Sequence, residues 1–278
     1  MKLITFVDEA KRTRPGLVIS GEIIDLGAEG FKDALAFLAA PHSVQADVAR
    51  KGATIALDKV KLLAPIPNPP RIFGIGVNYA DHAAETGTRM RDVPTVFMVL
   101  SSAVVGPGAN VVLPRASWQV DYEAELAVVI GKGGHKIPAS QWEEHVFGYT
   151  IMNDVSARDV QRATSQWTLA KSFPTFAPMG PWVVSKDEIA NPHTLNISLT
   201  IGGEKLQDSN TSHLIYKIPE LIEYLSKIVP LQTGDVISTG TPAGVGLGRT
   251  PQRWLKPGEE MIIEIDGIGE LRNPIVAE

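Results

Sequence analysis

The chain has 278 residues, of which 44% are hydrophobic and 21% charged, a composition typical of a globular protein with a sizeable core. Its net charge is −5 and it has no basic runs, so neither nucleic acid nor a membrane is a predicted partner. The absence of cysteine excludes disulfides, thiolate metal ligands and a cysteine nucleophile. No apolar run reaches the length of about 18 residues that a membrane span needs. We therefore expect a cytoplasmic protein.

Residues 1–68 predict a small N-terminal α/β domain. Apolar stretches at 2–7 and 16–27 are typical of strands, and the patterns at 31–40 and 43–52 are typical of helices. Four prolines between positions 65 and 70 then indicate a linker, because proline disfavours continuation of either element. The predicted boundary separates this domain from a second domain over 69–278.

The second domain is predicted to be rich in strands. Strands are expected at 71–76, 95–100, 109–114, 122–131, 145–154, 181–185, 194–203, 235–240 and 260–266. Helices are expected at 79–86, 140–145, 156–163 and 218–228. Frequent strands separated by Gly and Pro indicate an α+β fold with a closed or rolled β-sheet.

Glu123 and Glu125 lie two positions apart in the predicted strand "YEAELAVVIG", so their side chains point to the same face. A solvated outer face is one explanation. The apolar residues that follow favour burial on both faces, and burying two unpaired carboxylates is costly unless a metal ion compensates them. The pattern leaves both explanations open.

Asp154 supplies a third carboxylate at the end of the next predicted strand. Three carboxylates from two strands make an all-oxygen ligand set, which suits Mg²⁺ or Mn²⁺ and does not suit zinc or copper. The alternative role for Asp154 is the N-cap of the helix predicted to follow it.

His82 and Glu85 lie at i and i+3 of a short predicted helix that ends near Gly87, so they share a face. Such a pair can form a general base, although a surface pair has the same spacing. Lys171 lies among aromatic residues and prolines. Its ammonium could stabilise an oxyanion, or it could be a surface lysine that extends into solvent.

The glycine-rich stretch "STGTPAGVG" spans Ser238 to Gly246, after a predicted strand. Its backbone N–H groups and the Thr241 hydroxyl could bind a carboxylate, and a plain turn is the alternative. It lacks the Gly-Lys-Ser/Thr sequence of a nucleotide-binding P-loop.

Together these segments resemble the fumarylacetoacetate hydrolase family. The resemblance covers residues 71–278 and rests on motifs that follow the family's order: "GVNYADHAAE", "SSAVVGP", "VDYEAELAVVIGK", "NDVSARDVQ", "KSFPTFAPMGPW", "GGEKLQDSNTSHLI" and "STGTPAGVG". It implies a rolled mixed β-sheet catalytic domain, preceded by a small variable domain. It also implies a homodimer or a higher oligomer.

The resemblance also implies a site, residue by residue. Glu123, Glu125 and Asp154 would hold the metal ion, Mg²⁺ or Mn²⁺. The family's catalytic dyad and lysine correspond to His82, Glu85 and Lys171, and its substrate carboxylate would bind Thr241 and the loop that includes Gly240.

Four positions depart from the family pattern. Val99 and Leu100 stand where Lys and Pro are common, Pro174 stands where many members have Asp, and Val77 replaces an Arg of some members that release pyruvate. These changes predict a more apolar pocket. They favour a larger or more hydrophobic substrate over small dicarboxylates.

The predicted activity is metal-dependent hydrolysis of a carbon–carbon bond in a 1,3-dicarbonyl substrate, a 2,4-dioxo acid that releases a 2-oxo acid. The resemblance places such a reaction in the catabolism of aromatic or sugar acids. The alternative is a tautomerase, isomerase or decarboxylase that acts on a 2-oxo dicarboxylate through the same enolate. A non-catalytic protein with a structural metal is less consistent with the sequence, because it would have no use for His82, Glu85 and Lys171 together.

Overall fold

The computed structural model describes residues 1–52, 54–87 and 91–278. The N-terminal part contains β1 (Lys2–Val7), β2 (Thr13–Ile19), β3 (Glu22–Asp25), α1 (Ala34–Leu38), α2 (His42–Ala49), β4 (Ile55–Ala56) and β5 (Lys61–Leu63). The first three strands form an antiparallel meander, and the two predicted helices are present but shorter than expected.

The rest of the chain is rich in strands, as predicted. Its elements are β6 (Ile72–Gly76), α3 (Ala80–Thr86), β7 (Thr95–Val99), β8 (Val104–Val105), β9 (Val111–Leu113), β10 (Val120–Asp121), β11 (Ala124–Ile130), α4 (Trp142–His145), β12 (Val146–Asn153), β13 (Ser156–Ala157), α5 (Arg158–Ala163), β14 (Ala177–Ser185), β15 (Asn196–Ile201), β16 (Glu204–Asn210), α6 (Ile218–Ile228), β17 (Val236–Ser238), β18 (Glu260–Ile265) and β19 (Gly269–Ala277). No helix in the described ranges is both long enough and apolar enough to cross a bilayer.

A mixed twelve-stranded sheet forms the framework. Ten of its strands follow the order β4-β3-β2-β1-β14-β12-β11-β17-β6-β7, with β5 added to β1 and β8 added to β14. Most neighbours are antiparallel, whereas β17–β6 and β14–β8 are parallel. The α+β, strand-rich fold predicted from the sequence is therefore confirmed.

A second sheet, with the order β16-β15-β18-β19-β9, packs against the first. Alternating apolar residues on its strands join those of β11 and β12 in the main core, which includes Leu126, Ile151, Leu199 and Ile263. Helix α6 covers this core with Ile218, Leu221, Ile222 and Leu225, whose spacing places them on one helical face.

Two long strands, β16 and β19, were not predicted, and neither were the short strands β4, β5, β8, β10 and β13. The sequences of β16 and β19, "EKLQDSN" and "GELRNPIVA", are polar or broken by proline. They form strands because β15 and β18 supply hydrogen-bonding partners along their length, so tertiary pairing overrides local propensity.

The N-terminal strands are continuous with the large sheet. Strand β1 pairs with β14, with Lys2 opposite Val184 and Leu3 opposite Val183. Leu3 also belongs to a core cluster that includes Ala127 and Val129 of β11. The predicted boundary after residue 68 thus lies within a shared sheet and core, and the division into two domains stays a prediction.

The strand order brings the ends of three strands to one place. Ala124 of β11 is opposite Asn153 of β12, and Ala127 is opposite Ser238 of β17. The residues just before β11, just after β12 and just after β17 therefore meet at the same end of the sheet. Strand β6, parallel to β17, leads toward α3 at that end.

The shared sheet predicts that the N-terminal strands unfold together with the rest. Replacing Leu3, which is fully buried, by Ala should lower the free energy of unfolding by about 2–5 kcal/mol, since a cavity is left in the common core. We expect one cooperative transition in urea, followed by circular dichroism and by tryptophan fluorescence.

The control is Val44→Ala on α2, where the side chain is 41% exposed and the expected change is within about 0.5 kcal/mol. Two separate transitions, with Leu3→Ala shifting only one of them, would contradict the prediction and favour an independent N-terminal domain.

Candidate active site

The three carboxylates of the predicted metal set lie together at one end of the large sheet. Glu125 belongs to β11, Glu123 precedes that strand, and Asp154 follows β12. One oxygen from each side chain lies within 4.8 Å of the other two, and all three residues are buried. A solvated face is therefore excluded for the two glutamates. A helix cap is excluded for Asp154, because the N-cap of α5 is Ala157.

Lys171 lies between two of these carboxylates. Its Nζ donates to Glu123 Oε2 at 2.6 Å and to Asp154 Oδ2 at 2.7 Å. The residue is only 2% exposed, and its ammonium lies 5.2 Å from the centre of the Phe97 ring, a cation–π distance. Lys171 is thus a buried member of the site, and the alternative of a surface lysine is wrong.

Glu125 is held from the other side by the strand that neighbours β11. Its Oε2 accepts hydrogen bonds from Ser238 Oγ at 2.6 Å and from the Gly240 N–H at 2.9 Å. Ser238 ends β17, and Gly240 opens the glycine-rich loop, so the strand pairing itself positions both donors.

The pKa values of the three carboxyl groups are pushed apart. Burial raises the pKa of Glu125 well above its ordinary value, and the charges of Asp154 and Glu123 raise it further. Burial also raises the pKa of Asp154, to about 6, although Lys171 opposes this effect. At Glu123 burial is outweighed by Lys171 and Arg158, which lower the pKa to about 2. Two cations therefore compensate the three carboxylates only in part.

The donor set fits a divalent metal ion. Asp154 Oδ1 is buried and has no hydrogen-bond partner among the described residues, so it is an oxygen in need of a cation. A divalent ion would also relieve the repulsion that raises the pKa of Glu125. All the donors are carboxylate oxygens, which suit Mg²⁺ or Mn²⁺. Glu123, Glu125 and Asp154 are the residues that would hold it.

Two residues to which the sequence patterns gave no role, Arg158 and Asp121, complete the charged cluster. Arg158 Nη2 lies 2.6 Å from Glu123 Oε1, and its Nε donates to Asp121 Oδ2 at 2.8 Å. Both are buried. The sequence held one indication for Arg158. Gln161 and Arg162 follow it at i+3 and i+4, which places the three polar side chains on one face of α5.

His82 lines the same cavity as Glu123 and Glu125, and Glu85 follows it on the same helix. His82 is 7% exposed, and its Nδ1 lies 3.7 Å from Glu85 Oε2, which is longer than a hydrogen bond. Glu85 accepts the Gly244 N–H at 3.0 Å through both oxygens. Helix α3 ends at Gly87, whose φ of 64° forms the predicted left-handed cap. A surface pair is therefore excluded, while the catalytic role of the dyad stays a prediction.

The glycine-rich loop after β17 binds carboxylates of the protein itself. The N–H groups of Gly246 and Leu247 donate to the two oxygens of Asp121, at 2.7 and 2.9 Å. As described above, two other amides of this loop hold Glu125 and Glu85. The loop is therefore more than a plain turn, because its amides fix three acids around the site.

Thr241 reaches the wall of the cavity from the same loop. Its Oγ1 donates to the Ala124 carbonyl at 2.9 Å and accepts from Gln207 Nε2 at 2.8 Å. Its contact with a substrate carboxylate, and that of Gly240, stay predictions. The Gly240 amide already donates to Glu125.

A cavity of about 380 Å³ opens onto the triad. Its wall includes Glu123, Glu125, Lys171 and His82 at the buried end, and the exposed side chain of Arg162 near the mouth. The site thus joins a closed, charged interior to a polar opening.

The prediction that the four departures together make the pocket more apolar is wrong for this cavity. Of the four departures from the family pattern, Val77 lines it, whereas Val99 is buried in the core and Leu100 and Pro174 are exposed outside its lining. Val77 has a φ of 56°, a region that β-branched residues rarely adopt. Such strain is typical of functional sites.

Aromatic packing closes the wall beside Val77. An added Cβ on Gly76 would lie 2.3 Å from the Trp167 ring, so glycine is what allows the indole to cover the backbone there. Trp167 also meets the edge of Phe97, with ring centres 5.5 Å apart. The two rings shield the Lys171 side of the cavity.

The fold and the site together define a metal-dependent enzyme, with an acidic triad beside a buried lysine and a His–Glu pair. The family model described as "Fumarylacetoacetate (FAA) hydrolase C-terminal" matches residues 71–276. The chain belongs to the fumarylacetoacetate hydrolase family.

Proteins similar to this chain are named for three different reactions. The mitochondrial oxaloacetate tautomerase FAHD2A of Bos taurus is 46% identical over 220 residues, which cover 78% of this chain and 70% of that protein. The 5-carboxymethyl-2-hydroxymuconate delta-isomerase of Mycobacterium smegmatis is 33% identical, with a TM-score of 0.80 over 100% of this chain and 99% of the other. The maleylpyruvate hydrolase of Sphingobium sp. SYK-6, solved with manganese(II) and pyruvate, is 30% identical, with a TM-score of 0.84 over 100% and 99%.

The metal assignment predicts that Asp154→Asn weakens Mn²⁺ binding about tenfold or more, because a neutral amide replaces a buried anionic ligand. Free Mn²⁺ measured by electron paramagnetic resonance gives the affinity. Glu264→Gln, an exposed acid on β18, is the control and should bind Mn²⁺ as the unchanged protein does. Equal affinity in Asp154→Asn, with native circular dichroism, would contradict the assignment.

Proposed function

We propose that the chain catalyses keto–enol tautomerisation of a 2-oxo dicarboxylic acid of the oxaloacetate type. The observation that carries this proposal is one cavity whose wall includes Glu123 and Glu125 of the acidic triad, Lys171 and His82, which are groups suited to stabilising and protonating an enolate. The identity of 46% to an oxaloacetate tautomerase favours this reaction over the hydrolysis expected from the sequence.

The inner residues hold and polarise the substrate. A divalent ion bound by Glu123, Glu125 and Asp154 would act as a Lewis acid on the 2-oxo acid end. Lys171 stays charged, because the carboxylates of Asp154 and Glu123 outweigh its burial and raise its pKa. Its ammonium is therefore a fixed donor for an oxygen that gains negative charge.

Tautomerisation needs one proton to leave oxygen and one to reach carbon. In ketonisation the enol O–H bond breaks and a C–H bond forms at carbon 3, with no other atoms gained or lost. We assign this proton exchange to His82 Nε2. Glu85 orients the ring through Nδ1, and their separation of 3.7 Å must shorten by about 1 Å to form a hydrogen bond.

Hydrolysis is the second candidate, and the similarity to maleylpyruvate hydrolase supports it. In that reaction His82 would take a proton from water, and the resulting hydroxide would attack a carbonyl carbon. The carbon–carbon bond would then break, with its electron pair passing to an enolate that is finally protonated. Both reactions form an enolate of a 2-oxo acid, and they differ in whether water attack and carbon–carbon cleavage precede it.

The test follows the enol absorbance of oxaloacetate with Mn²⁺ present, while pyruvate is measured in parallel. We expect faster loss of the enol band without pyruvate, and a fall in kcat of about a hundredfold or more in His82→Ala, as removal of a general acid–base predicts. The exposed His213→Ala is the matched control. If the protein instead released stoichiometric pyruvate from an acylpyruvate and did not accelerate oxaloacetate ketonisation, hydrolysis would replace tautomerisation as the proposed reaction.

Gly248 provides a separate test of the dyad. A Cβ at this position would lie 2.2 Å from Glu85 Cγ, so Gly248→Ala should displace the glutamate from its place beside His82. We expect kcat to fall about ten- to a hundredfold, with a shifted pH–rate profile and a nearly unchanged KM.

Gly52→Ala is the control for the Gly248 variant, since nothing lies within 4 Å of the added Cβ. A Gly248→Ala enzyme with the original kcat and pH profile would show that the position of Glu85 does not matter to the reaction.

The homodimer and the cytoplasmic location stay proposals. Val96 and Leu100 are exposed apolar residues on and next to β7, which is the edge strand of the large sheet, and Leu169 nearby is 72% exposed. These residues support an association surface. The Bos taurus relative is a mitochondrial protein.

A further inference from the structure

We infer that Arg162 binds the second, distal carboxylate of the substrate and thereby selects dicarboxylates. This inference rests on the proposed function for one point only, namely that the 2-oxo acid end of the substrate lies at the acidic triad. Arg162 is on α5, lines the cavity that opens onto the triad and has an exposed side chain.

The charges within the cavity single out this arginine. Lys171 is hydrogen-bonded to two carboxylates, and Arg158 lies against Asp121 and Glu123. Over residues 1–52, 54–87 and 91–278, no carboxylate lies within 4.0 Å of the Arg162 guanidinium, whose recorded partner is the neutral side chain of Gln119. The cavity wall includes three cationic side chains, Arg158, Arg162 and Lys171. Among the described residues, carboxylates neutralise Arg158 and Lys171 but not Arg162.

The inner cluster has no spare positive charge for a second carboxylate. Asp121, Glu123, Glu125 and Asp154 are four acids, and Arg158, Lys171 and a divalent ion together balance them. A substrate with one carboxylate already makes the loaded site negative. A second carboxylate is therefore better accommodated at the mouth, where an unneutralised cation is available.

The position of Arg162 along α5 also fits a distal group. Arg158 marks the buried end, with Nη2 2.6 Å from Glu123, and Arg162 is one helical turn, about 6 Å, further along the same face. The cavity is closed by buried residues at the triad end, so a bound chain extends toward the exposed arginine. A guanidinium there can hold a carboxylate through two parallel hydrogen bonds.

The experiment measures binding to the Mn²⁺-loaded protein by calorimetry, with 2-oxoglutarate and 2-oxopentanoate as probes. 2-Oxoglutarate has a distal carboxylate at the position where 2-oxopentanoate has a methyl group. We expect the protein to prefer 2-oxoglutarate, and Arg162→Gln to weaken that ligand about tenfold while 2-oxopentanoate changes less than about twofold. Arg162→Lys should restore part of the preference, because it keeps the charge and loses the paired geometry.

Arg50→Gln, an exposed arginine next to α2, controls for the loss of net positive charge and should leave both affinities unchanged. Equal weakening of both ligands in Arg162→Gln, an unchanged ratio of affinities, or no binding of either ligand to the unsubstituted protein would overturn the inference. A preserved, Arg162-dependent preference with no ketonisation of oxaloacetate would overturn the proposed reaction and leave this inference standing.

Discussion

The arrangement of the active site depends on the free-energy cost of burying three carboxylates within a small volume. Glu123, Glu125 and Asp154 each place one oxygen within 4.8 Å of the other two, and burial with mutual repulsion raises the pKa of Glu125 and Asp154. Isolated charges would not remain ionised there. The fold therefore supplies Lys171 and Arg158 as buried counter-charges, and it leaves one Asp154 oxygen for a cation. A divalent ion held by the three carboxylates would complete this compensation.

Backbone N–H groups also contribute to this compensation. Strand pairing sets the three acids side by side, and the loop after β17 directs its N–H groups at Glu125, Glu85 and Asp121. One loop therefore fixes the proposed metal ligand Glu125, the Glu85 of the proposed dyad, and Asp121, which is paired with Arg158. Backbone amides lose little entropy when they bind, since the flanking strand and turns already hold them in place.

Local patterns in the sequence were sufficient for part of this arrangement. Helix α6 was predicted with its observed bounds because Ile218, Leu221 and Ile222 recur at helical spacing, and the acidic triad was predicted from two adjacent strands. Strands β16 and β19 were missed because their own sequences are polar or contain proline, although each pairs with the strand that directly precedes it. The effect of Pro174 and Leu100 on the pocket was predicted wrongly, because proximity in a motif does not determine which side chains face a cavity.

The contrast between the two ends of the cavity has an evolutionary consequence. Glu125 and Lys171 each satisfy several partners, so a substitution there disturbs charge balance, metal ligation and backbone support together. Arg162 and Thr164 near the mouth are exposed and tied to few protein groups. Such a scaffold can diverge in substrate preference through single substitutions at its rim while its inherited reaction centre remains unchanged. That division is consistent with one architecture serving tautomerases, isomerases and hydrolases.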